Sequence, residues 1–458
     1  MSLKVIILAA GKGTRMKSHM PKVLHCVAEK PMVEHVIDAA GSLGASKTVL
    51  VVGHGADQVR ATVSRDVEYV EQTEQLGTGH AVQQALPMLE ANDVVLIAYG
   101  DVPLTKPETF KQLIDDVTDS NLALLTVVME DPTGYGRIVR DAAGSVQGIV
   151  EQKDATEEQL KICEGNTGIL AAKASALNEL LGRIDNNNAQ QEYYLTDIFS
   201  LAVDQGMTIT THQPEHEWET AGVNSRLQLA ELERIYQLSQ ADQLMTAGVT
   251  LRDPARIDVR GNLTVGQDSI IDINCVFEGD VTIGEGVSIG PNCCISNATI
   301  ASGTVIKANT VIEESSVGEN CTIGPFARLR PGTELLQEAH IGNFVEIKKS
   351  TINKGSKVNH LSYVGDSTVG EQVNIGAGTI TCNYDGANKH QTIIEDGVFI
   401  GSCTQLVAPV KVGKDAVIGA GSTITRAVEA GQLAFTRAPL KTIANWPRPK
   451  KNPIKKSN

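Results

Sequence analysis

The second half of the chain repeats an apolar residue at every sixth position, and this period constrains the fold more than any other feature. The repeat occurs in three blocks: Val265, Ile271, Phe277, Ile283, Ile289 and Ile295; Val317, Ile323, Leu329, Leu335, Ile341 and Ile347; and Ile394, Ile400, Leu406, Val412, Ile418 and Ile424. A six-residue period matches neither a helix nor an alternating strand. It fits a coil with three short faces per turn, in which each face directs one apolar residue inward and small residues or glycine turn the corners.

We therefore predict a left-handed parallel β-helix of hexapeptide repeats over residues 248–458, in which about nine coils stack at the strand spacing of ~4.8 Å. The period is broken at residues 381–393, TCNYDGANKHQTI. We expect this segment to loop out of the coil. A departure from a strict repeat is where function tends to lie.

The first half of the chain alternates short apolar runs with helix-like segments. Strands are predicted at 5–10, 48–52, 94–98 and 123–128, and helices at 32–40 and 79–89. This alternation predicts a Rossmann-like α/β domain with a mostly parallel sheet over residues 1–224. Residues 225–247 predict one long linker helix, with these apolar residues near one face: Leu227, Ala230, Ile235, Leu238, Ala241 and Met245.

The formal charge of −14 argues against a nucleic-acid partner and against an anionic membrane surface. Residues 11–28 and the tail after Glu429 are locally basic, which suggests two sites for anionic small molecules or simply solvated surface. The first apolar run is short and leads into a glycine loop, and no stretch is long enough to cross a bilayer. Eight cysteines without a C-x-x-C pair do not suggest a disulfide framework. We therefore expect a cytoplasmic protein.

A glycine-rich loop, Leu8-Ala9-Ala10-Gly11-Lys12-Gly13-Thr14-Arg15-Met16, follows the first predicted strand and precedes Pro21-Lys22. Glycines let the backbone approach a nucleotide, and Arg15 and Lys22 can offset triphosphate charge. The loop is neither a Walker loop nor a dinucleotide G-x-G-x-x-G loop. Asp101 follows another buried strand, at the edge where α/β sheets bind ligands, although such a residue is also a common helix cap.

This loop closely resembles the L-x-x-G-x-G-T-R-M and P-K signature of sugar-nucleotide pyrophosphorylases. The resemblance implies that a sugar 1-phosphate attacks the α-phosphorus of UTP and releases pyrophosphate, with Arg15 and Lys22 stabilising charge. It also implies a Mg²⁺ ion bound by Asp101 and Asn224. The implied uracil, nucleotide and sugar contacts are Leu8, Ala9, Ala10, Gly11, Gln72, Gly77, Thr78, Tyr99, Gly100, Gly136, Glu151 and Asn166. The alternative role of residues 77–79 is a helix-entry turn, and that of Asn224 an ordinary turn.

Three motifs of the second half lie at residues 358–366 (VNHLSYVGD), 375–379 (IGAGT) and 383–386 (NYDG). Together with the first half, they resemble the bifunctional bacterial UDP-N-acetylglucosamine pyrophosphorylase and glucosamine-1-phosphate N-acetyltransferase family over nearly all of the chain. The resemblance implies that acetyl-CoA acetylates glucosamine-1-phosphate. Uridylyl transfer from UTP then gives UDP-N-acetylglucosamine for peptidoglycan and lipopolysaccharide precursors.

On this interpretation His360 is the general base of acetyl transfer, because an imidazole with a pKa near ~6.5 suits neutral pH. The other implied residues are Asn383 and Tyr384 at the sugar phosphate or amine, Arg330 and Lys348 at the phosphate, Tyr363 and Asn374 in the pocket, Ala377, Ser402 and Ala420 along the thioester arm, and Arg437 at the CoA phosphates. The oxyanion donor is left open between a backbone amide and the Ser402 hydroxyl. A site in the groove between copies implies a homotrimer.

Three alternatives remain at this point. The chain could be a monofunctional pyrophosphorylase whose β-helix only trimerises, or a β-helical binding or scaffold protein without chemistry. A zinc hydratase would need a histidine trio between subunits, for which His340, His360 and His390 can be proposed, although they lack close ligand spacing.

Overall fold

The computed structural model describes residues 2–449, and contacts divide the chain into two units. The first unit extends to Gln243 and includes Asp258–Gly261, and the second comprises Leu244–Ile257 and the chain from Asn262 onward. The basic tail that the sequence analysis noted lies outside the described residues from position 450 onward. Within residues 2–449, no helix is both long enough and apolar enough to cross a membrane.

Between residues 2 and 243 the structure has eleven strands, nine of which form one sheet. Their bounds are β1 Leu3–Ala9, β2 Cys26–Val27, β3 Lys30–Pro31, β4 Lys47–Val52, β5 Glu68–Glu71, β6 Val94–Tyr99, β7 Asn121–Val128, β8 Gly136–Arg140, β9 Val146–Val150, β10 Glu164–Lys173 and β11 Thr208–His212. The main order is β11-β7-β10-β6-β1-β4-β5, with β8 pairing to β10 and β9, while β2 and β3 form a separate hairpin. Strand β10 runs antiparallel to β6 and β7, so the sheet is mixed around a parallel β6-β1-β4-β5 core.

Helices cover both faces of this sheet. Their bounds are α1 Met32–Gly41, α2 Ala56–Thr62, α3 Thr78–Ala85, α4 Pro107–Asp115, α5 Ala174–Leu181, α6 Asp197–Asp204 and α7 Arg226–Thr246. Alternate residues of a strand face opposite sides, so in β1 Ile6 packs toward α3 and α5 while Ile7 packs toward α1 and α4. Burial on both faces explains why the central strands are continuous apolar runs.

Helix α7 is present, and the apolar face predicted for it is correct only in part: Ala241 is buried and Ile235 packs against a buried cluster, but most of the other predicted residues are exposed. Leu227, Leu238 and Met245 are exposed, whereas Leu232 and Gln237 are buried. The Gln237 amide accepts from Val259 N at 2.7 Å and donates to Val259 O at 2.9 Å. A polar residue can occupy the buried side of the helix because its amide forms hydrogen bonds with both the N–H and the C=O of Val259, which a neighbouring strand would otherwise provide. A search for apolar residues at helical spacing cannot detect a buried polar residue such as Gln237.

The second unit is a parallel β-helix whose coils have three faces. First-face strands are Thr250–Leu251, Ile270–Ile271, Ser288–Ile289, Val305–Ile306, Thr322–Ile323, His340–Asn343, Lys357–His360, Asn374–Ile375, Phe399–Ile400, Val417–Ile418 and Leu433–Ala434. Second-face strands are Cys294–Ser296, Val311–Glu313, Arg328–Arg330, Glu346–Lys348, Tyr363–Gly365, Ile380–Cys382, Gln405–Val407 and Thr423–Ile424. Third-face strands are Thr299–Ile300, Ser315–Val317, Thr333–Leu335, Thr351–Ile352, Ser367–Val369, Thr392–Ile394 and Val410–Val412, and the longer strands Ile257–Val265 and Cys275–Ile283 belong to the same sheet.

The six-residue period predicts the core of this unit correctly. Every residue of the three apolar blocks is buried except Val265, which is half-buried near the first coil. Glycine follows many of these residues because the next coil is too close for a side chain: a Cβ on Gly376 would lie 2.6 Å from Ile400 O. The expected excursion is also present, since Ile375 pairs with Ile400 across it, whereas one coil earlier Val358 pairs with Ile375.

Candidate active sites

The glycine loop of the first unit leaves the sheet at the end of β1. Gly13 has a positive φ of 59°, and a Cβ there would lie 2.7 Å from Lys22 Cβ, so glycine at this position lets Lys22 pack against the loop. Met16, 1% exposed, anchors the loop in an apolar cluster with Val223 and Leu232. Arg15, next to this anchor, is exposed.

A cavity of about 350 Å³ opens beside this loop. It is lined by Leu8, Ala9, Ala10, Gly11, Lys22, Val23, Gln72, Gln75, Gly77, Thr78, Ala81, Tyr99, Asp101 and Glu192. The structure thus brings most of the residues implied for nucleotide binding to one cavity. Gly100 lies behind it, where its N–H donates to Leu8 O at 3.0 Å and a Cβ would meet Val23 and Val33.

The far wall of the cavity is a close backbone contact between two segments. A Cβ on Gly77 would lie 2.5 Å from Tyr193 O, and Gly77 has a φ of 119°. Gly79 N donates to Tyr193 O at 2.8 Å, and Leu195 N donates to Thr78 Oγ1 at 3.1 Å. Residues 77–79 are therefore a helix entry as well as a cavity wall.

Gln72 is 3% exposed and has its amide fixed at the same wall. Its Nε2 donates to Gly77 O at 3.0 Å and lies 3.1 Å from His80 Nδ1. The amide oxygen has no hydrogen bond of its own among these contacts. An amide held in this way presents an acceptor of fixed orientation, which is the property that recognition of a base edge requires.

Lys22, Asp101 and Asn224 meet at one point of the cavity. Lys22 Nζ forms an ion pair with Asp101 and donates to Asn224 Oδ1 at 3.0 Å. Val223 N donates to Asp101 O at 2.9 Å, which ties the two segments together through their backbones. The carboxylate and amide oxygens thus converge on a position that holds a cation, here the lysine ammonium.

The same two oxygens fit a Mg²⁺ ion. Mg²⁺ prefers hard oxygen ligands and usually takes only one or two from protein, with water and phosphate supplying the rest. Within residues 2–449 of one chain, no group of three or more His, Cys, Asp and Glu side chains is arranged to hold a metal. The donor set of the first unit therefore fits a metal that arrives with a nucleotide.

Gly136, Glu151 and Asn166 form a second cluster in the first unit. A Cβ on Gly136 would lie 3.4 Å from Glu151 Oε1 and 3.6 Å from Asn166 Cβ. Thr196 Oγ1 donates to Glu151 at 3.1 Å, and burial raises the pKa of this carboxyl. The sequence separates these residues by thirty positions, and the sheet brings them together.

Tyr99 connects this cluster to the nucleotide cavity. Burial first, and then the charges of Glu151 and Asp101, raise the pKa of the phenol. Its hydroxyl would lie 2.6 Å from a Cβ on Gly168, so the ring covers that glycine closely. The phenol stays protonated and available as a hydrogen-bond donor between the two clusters.

In the second unit, the corner after the first face carries His360. Its Nδ1 lies 3.0 Å from Asn343 Oδ1, one coil earlier, and the two residues are paired in the sheet register. With the amide oxygen as acceptor, the ring proton lies on Nδ1 and the Nε2 lone pair is free. His360 is exposed, so this nitrogen can reach a bound molecule.

The residues implied for the thioester arm form a column with His360. Gly378 N donates to His360 O at 3.2 Å, Cys403 N to Ala377 O at 2.7 Å, and Gly421 N to Ser402 O at 2.7 Å. His360, Ala377, Ser402 and Ala420 therefore occupy equivalent positions of successive coils. Arg437 is near the end of this column, because a Cβ on Gly419 would lie 3.6 Å from its Nη2.

A cluster of cations lies on the neighbouring second face. Arg330, Lys348 and Gly365 are in register on three successive coils, and Arg330 pairs with Glu346 at 2.8 Å. The Lys389 ammonium beside it lowers the pKa of Lys348, with burial and Arg330 acting in the same direction. Cations brought this close favour binding of a phosphate.

Lys389 belongs to the excursion, which is internally braced. Asp385 accepts from the backbone N–H groups of Ala387 and Asn388 and from His390 Nε2 at 2.7 Å. These contacts lower the pKa of the Asp385 carboxyl, the bond to Asn388 contributing most. Tyr384 pairs with Lys389 through an isolated antiparallel bridge, so the loop reverses and returns the lysine toward the coil.

Asn383 and Tyr363 link the excursion to the coil. Asn383 Nδ2 donates to Asp366 and lies 3.4 Å from the Tyr363 hydroxyl. Tyr384, in contrast, is 60% exposed and donates to Gly386 O at 2.6 Å. Asn374 begins the first-face strand of the coil that carries Ala377.

The sequence analysis missed Lys389 in the second unit and Glu192 and Gln75 in the first. The available signal for Lys389 was its position inside the only long break of the hexapeptide period. Glu192 and Gln75 offered no comparable signal, because their place in the cavity follows from the contact of residues 77–79 with Tyr193.

Comparisons with known proteins agree with this architecture. The family model of the MobA-like NTP transferase domain matches residues 5–162. The GMPPB C-terminal domain matches residues 259–335, and the bacterial transferase hexapeptide (six repeats) matches residues 391–426. The fold and the sites thus define a two-unit transferase, with a nucleotidyltransferase unit and a left-handed hexapeptide β-helix.

Two curated relatives match almost the whole chain. The Bifunctional protein GlmU of Marinobacter nauticus is 62% identical over 450 residues, covering 98% of this chain and 99% of that protein. That of Burkholderia vietnamiensis is 57% identical over the same coverage. A solved nucleotidyl transferase from Methanothermobacter thermautotroptrophicus has a TM-score of 0.38 and 18% identity, covering 51% of this chain and 97% of that one.

The chain belongs to the family of bifunctional GlmU proteins. It is an enzyme with uridylyl-transfer and acetyl-transfer activities, so the resemblance and the fold class predicted from the sequence are confirmed. The alternatives of a monofunctional pyrophosphorylase and of a scaffold without chemistry are thereby excluded.

Proposed function

We propose that the second unit acetylates glucosamine-1-phosphate from acetyl-CoA and that the first unit converts the product and UTP into UDP-N-acetylglucosamine and pyrophosphate. The observation that carries this assignment is the arrangement around Tyr363–Gly365. His360 lies at the corner before this strand, and the cations Arg330, Lys348 and Lys389 lie toward its other end. A base and a phosphate site on one short face suit a substrate with an amine and a phosphate on one sugar.

In acetyl transfer, His360 removes a proton from the sugar amine through Nε2 while the amine attacks the thioester carbon. Asn343 keeps the imidazole in the required tautomer and orientation. The carbon–sulfur bond then breaks and coenzyme A leaves as the thiolate, which takes up a proton. Ala377, Ser402 and Ala420 give the pantetheine arm a path of small residues along the corner, and Arg437 contributes positive charge at its end.

For the phosphate of this substrate, Arg330, Lys348 and Lys389 supply positive charge. Asn383 and Tyr363 hold the sugar from the side of the excursion, and Tyr384 and Asn374 complete the pocket. The oxyanion of the tetrahedral intermediate needs a donor, which is either the exposed Ser402 hydroxyl or a backbone amide of the same corner.

In uridylyl transfer, the phosphate oxygen of N-acetylglucosamine-1-phosphate attacks the α-phosphorus of UTP, and the bond to pyrophosphate breaks. Bound to Asp101 and Asn224, Mg²⁺ would neutralise phosphate charge and orient the reacting groups. With Asp101 and Asn224 holding a metal, Lys22 would be free to pair with the phosphates, and the exposed Arg15 would add positive charge at the triphosphate. Gln72, residues 8–11 and Gly77-Thr78 bind the uridine, Tyr99 and Gly100 line the passage to the sugar, and Gly136, Glu151 and Asn166 hold the sugar.

The acetyl site requires a homotrimer on this proposal. Phe326, Phe344 and Leu361 occupy equivalent corners, have positive φ values and are exposed, and the two phenylalanine rings stack at 5.3 Å. A bulky residue in the left-handed region costs about 1–2 kcal/mol, and exposed apolar surface adds no compensation in a monomer. A second copy packed on this row would bury it next to His360. The substrates of the two proposed reactions also suit an enzyme of the cytoplasm.

Product analysis by mass spectrometry tests the proposal. The full chain is incubated with glucosamine-1-phosphate, acetyl-CoA, UTP and Mg²⁺, and each component is omitted in turn. We expect N-acetylglucosamine-1-phosphate without UTP, and no UDP-N-acetylglucosamine without acetyl-CoA. Formation of a UDP-sugar from unacetylated substrate at an equal rate would contradict the proposed order of the two reactions.

A further inference from the structure

A buried histidine lies behind the proposed metal site of the first unit. His25 follows the short 3-10 helix Lys22–Leu24 and is 2% exposed. Arg226 begins α7, two residues after Asn224. Its Nη1 donates to His25 Nδ1 at 3.2 Å.

This hydrogen bond fixes the state of the imidazole. A guanidinium group can only donate, so Nδ1 accepts and the ring proton is on Nε2. His25 Nε2 is buried and has no partner within residues 2–449. Burial, together with the Arg226 charge, lowers the pKa of His25, so the ring remains neutral. Because a buried N–H without an acceptor destabilises a fold, an apolar residue would be better for the core alone.

His25 and Arg226 close a ring of contacts with two residues of the metal site. His25 N donates to Lys22 O at 3.2 Å, and Lys22 Nζ donates to Asn224 Oδ1 at 3.0 Å. We propose that His25 and Arg226 are a positioning pair that sets Asn224 relative to Lys22 and so determines how tightly the first unit binds its divalent cation. The inference rests on the proposed role of Asn224 as a metal ligand.

A second contact joins the same two segments and supplies a control. Ala28 N donates to Glu233 Oε2 at 2.7 Å, on α7 two turns beyond Arg226. Substitution of Glu233 weakens the packing of the His25 segment on α7 without touching the ring of contacts. Glu233→Gln is therefore the control: it changes the same interface between the two segments, and any change in Mn²⁺ affinity that it causes is purely structural.

The test compares three variants of the full chain. In His25→Asn, the amide oxygen takes approximately the place of Nδ1 and can accept from Arg226, whereas His25→Leu keeps the volume and removes the acceptor. Arg226→Met removes the donor and keeps most of the side-chain length. The readouts are direct Mn²⁺ binding in the presence of UTP, followed by electron paramagnetic resonance, the Mg²⁺ activation constant of uridylyl transfer, and acetyl transfer as a measure of intact chains.

We expect His25→Leu and Arg226→Met to weaken Mn²⁺ binding and raise the Mg²⁺ activation constant by about tenfold, the loss of one charge-assisted hydrogen bond. His25→Asn should retain most of the wild-type affinity, Glu233→Gln should match the wild type, and acetyl transfer should be unchanged throughout. If the first unit of His25→Leu is unfolded, weaker Mn²⁺ binding by Arg226→Met is by itself enough to support the positioning pair.

Wild-type Mn²⁺ affinity in folded His25→Leu and Arg226→Met would overturn the inference, as would equal weakening in His25→Asn and Glu233→Gln. Asp101→Asn distinguishes this result from failure of the metal site itself. If Asp101→Asn weakens Mn²⁺ binding and the His25 variants do not, only the positioning pair is wrong. If Asp101→Asn has no effect, the proposed metal ligands are wrong.

Discussion

His360 shows how a side chain on one coil can be oriented by a side chain on the neighbouring coil. The imidazole is at an exposed corner, where nothing in its own strand restricts the ring, and Asn343 one coil earlier holds Nδ1. The stacking of coils at ~4.8 Å makes such vertical pairs the natural unit of organisation in this fold. Because Asn343 acts only through His360, we regard it as a positioning residue.

His360→Ala should lower acetyl transfer by about 10²–10⁴-fold, the usual contribution of a positioned general base. Asn343→Ala should lower it by about tenfold, because the ring then loses its orienting hydrogen bond. Steady-state rates with glucosamine-1-phosphate measure both effects. Uridylyl transfer from supplied N-acetylglucosamine-1-phosphate is the control and should be unchanged, and a fully active His360→Ala would contradict the assignment.

Asp197 provides a pH-dependent contribution to the stability of the first unit. Burial, and then the carboxylates Asp185, Glu151 and Asp154, raise its pKa from the ordinary 3.8 to about 6. Between these two values the folded chain binds a proton that the unfolded chain has lost, so stability falls as the pH rises through this window. Above about pH 6 the folded state holds an unfavourable buried charge.

Asp197→Asn should therefore stabilise the first unit more at pH 8 than at pH 5, because pH 5 already lies inside this window. We expect a gain of about 1 kcal/mol at pH 8, after allowing for solvent screening of a half-buried group. Urea unfolding followed by the fluorescence of Trp218 measures it. Asp204→Asn, at the exposed end of the same helix, should show no such difference between the two pH values. An equal gain for Asp197→Asn at both pH values would refute the explanation.

At the scale of elements, the excursion is the one segment of the described β-helix that leaves the coil for many residues and returns. It covers residues 383–391, which is shorter than the predicted 381–393, because Thr381, Cys382, Thr392 and Ile393 remain in coil strands. Its turn is held by Asp385, and its return strand carries Lys389 to the cations of the second face. The excursion therefore adds a cationic side chain, Lys389, that no coil position supplies. Regular coils give the site its spacing, and the excursion gives it part of its charge.

Lys389→Met should raise the KM for glucosamine-1-phosphate by about tenfold or more, because one of three phosphate-binding cations is lost. The KM for acetyl-CoA should change little. The matched control is Lys354→Met, an exposed lysine of the same unit that pairs with Glu338. If both variants behave alike, the effect is one of general charge and the proposed phosphate cluster is wrong.

The elements also show which parts of the structure a sequence can predict. A period of six depends on local geometry that each coil repeats, so both the buried residues and the excursion follow from it. The buried Gln237, the Lys389 contact and the His25–Arg226 bond do not, because each joins segments that are distant in sequence or breaks a hydrophobic rule through a hydrogen bond. Site residues that lie inside the family motifs could be predicted from the sequence. Residues that only orient those side chains or add charge to the site could not.

At the scale of the molecule, each unit carries a separate site with its own chemistry. In the first, the candidate nucleotide cavity lies at the carboxyl edge of a sheet, where α/β proteins commonly bind ligands. The candidate site of the second lies on stacked corners beside an exposed apolar row, which on our proposal is covered by another copy of the chain. Only the second activity should therefore depend on assembly.

Phe344→Asp places a charge in the exposed apolar row of Phe326, Phe344 and Leu361 and should dissociate the proposed homotrimer. Analytical ultracentrifugation should show monomers, acetyl transfer should fall below detection, and uridylyl transfer should persist. Leu160→Asp, an exposed apolar residue of the first unit, is the control for adding a surface charge and should leave the trimer intact. A monomer with full acetyl transfer would show that copies do not share the site.

The central claim is that two separate sites act in sequence through a free acetylated sugar phosphate. The most direct measurement is formation of UDP-N-acetylglucosamine from glucosamine-1-phosphate, acetyl-CoA and UTP by His360→Ala, by Asp101→Asn, and by a mixture of the two. The account predicts almost no product from either variant alone and substantial product from the mixture, because one variant acetylates what the other uridylylates. Undiminished product from His360→Ala alone, or none from a mixture of two folded variants that each retain their other activity, would contradict it.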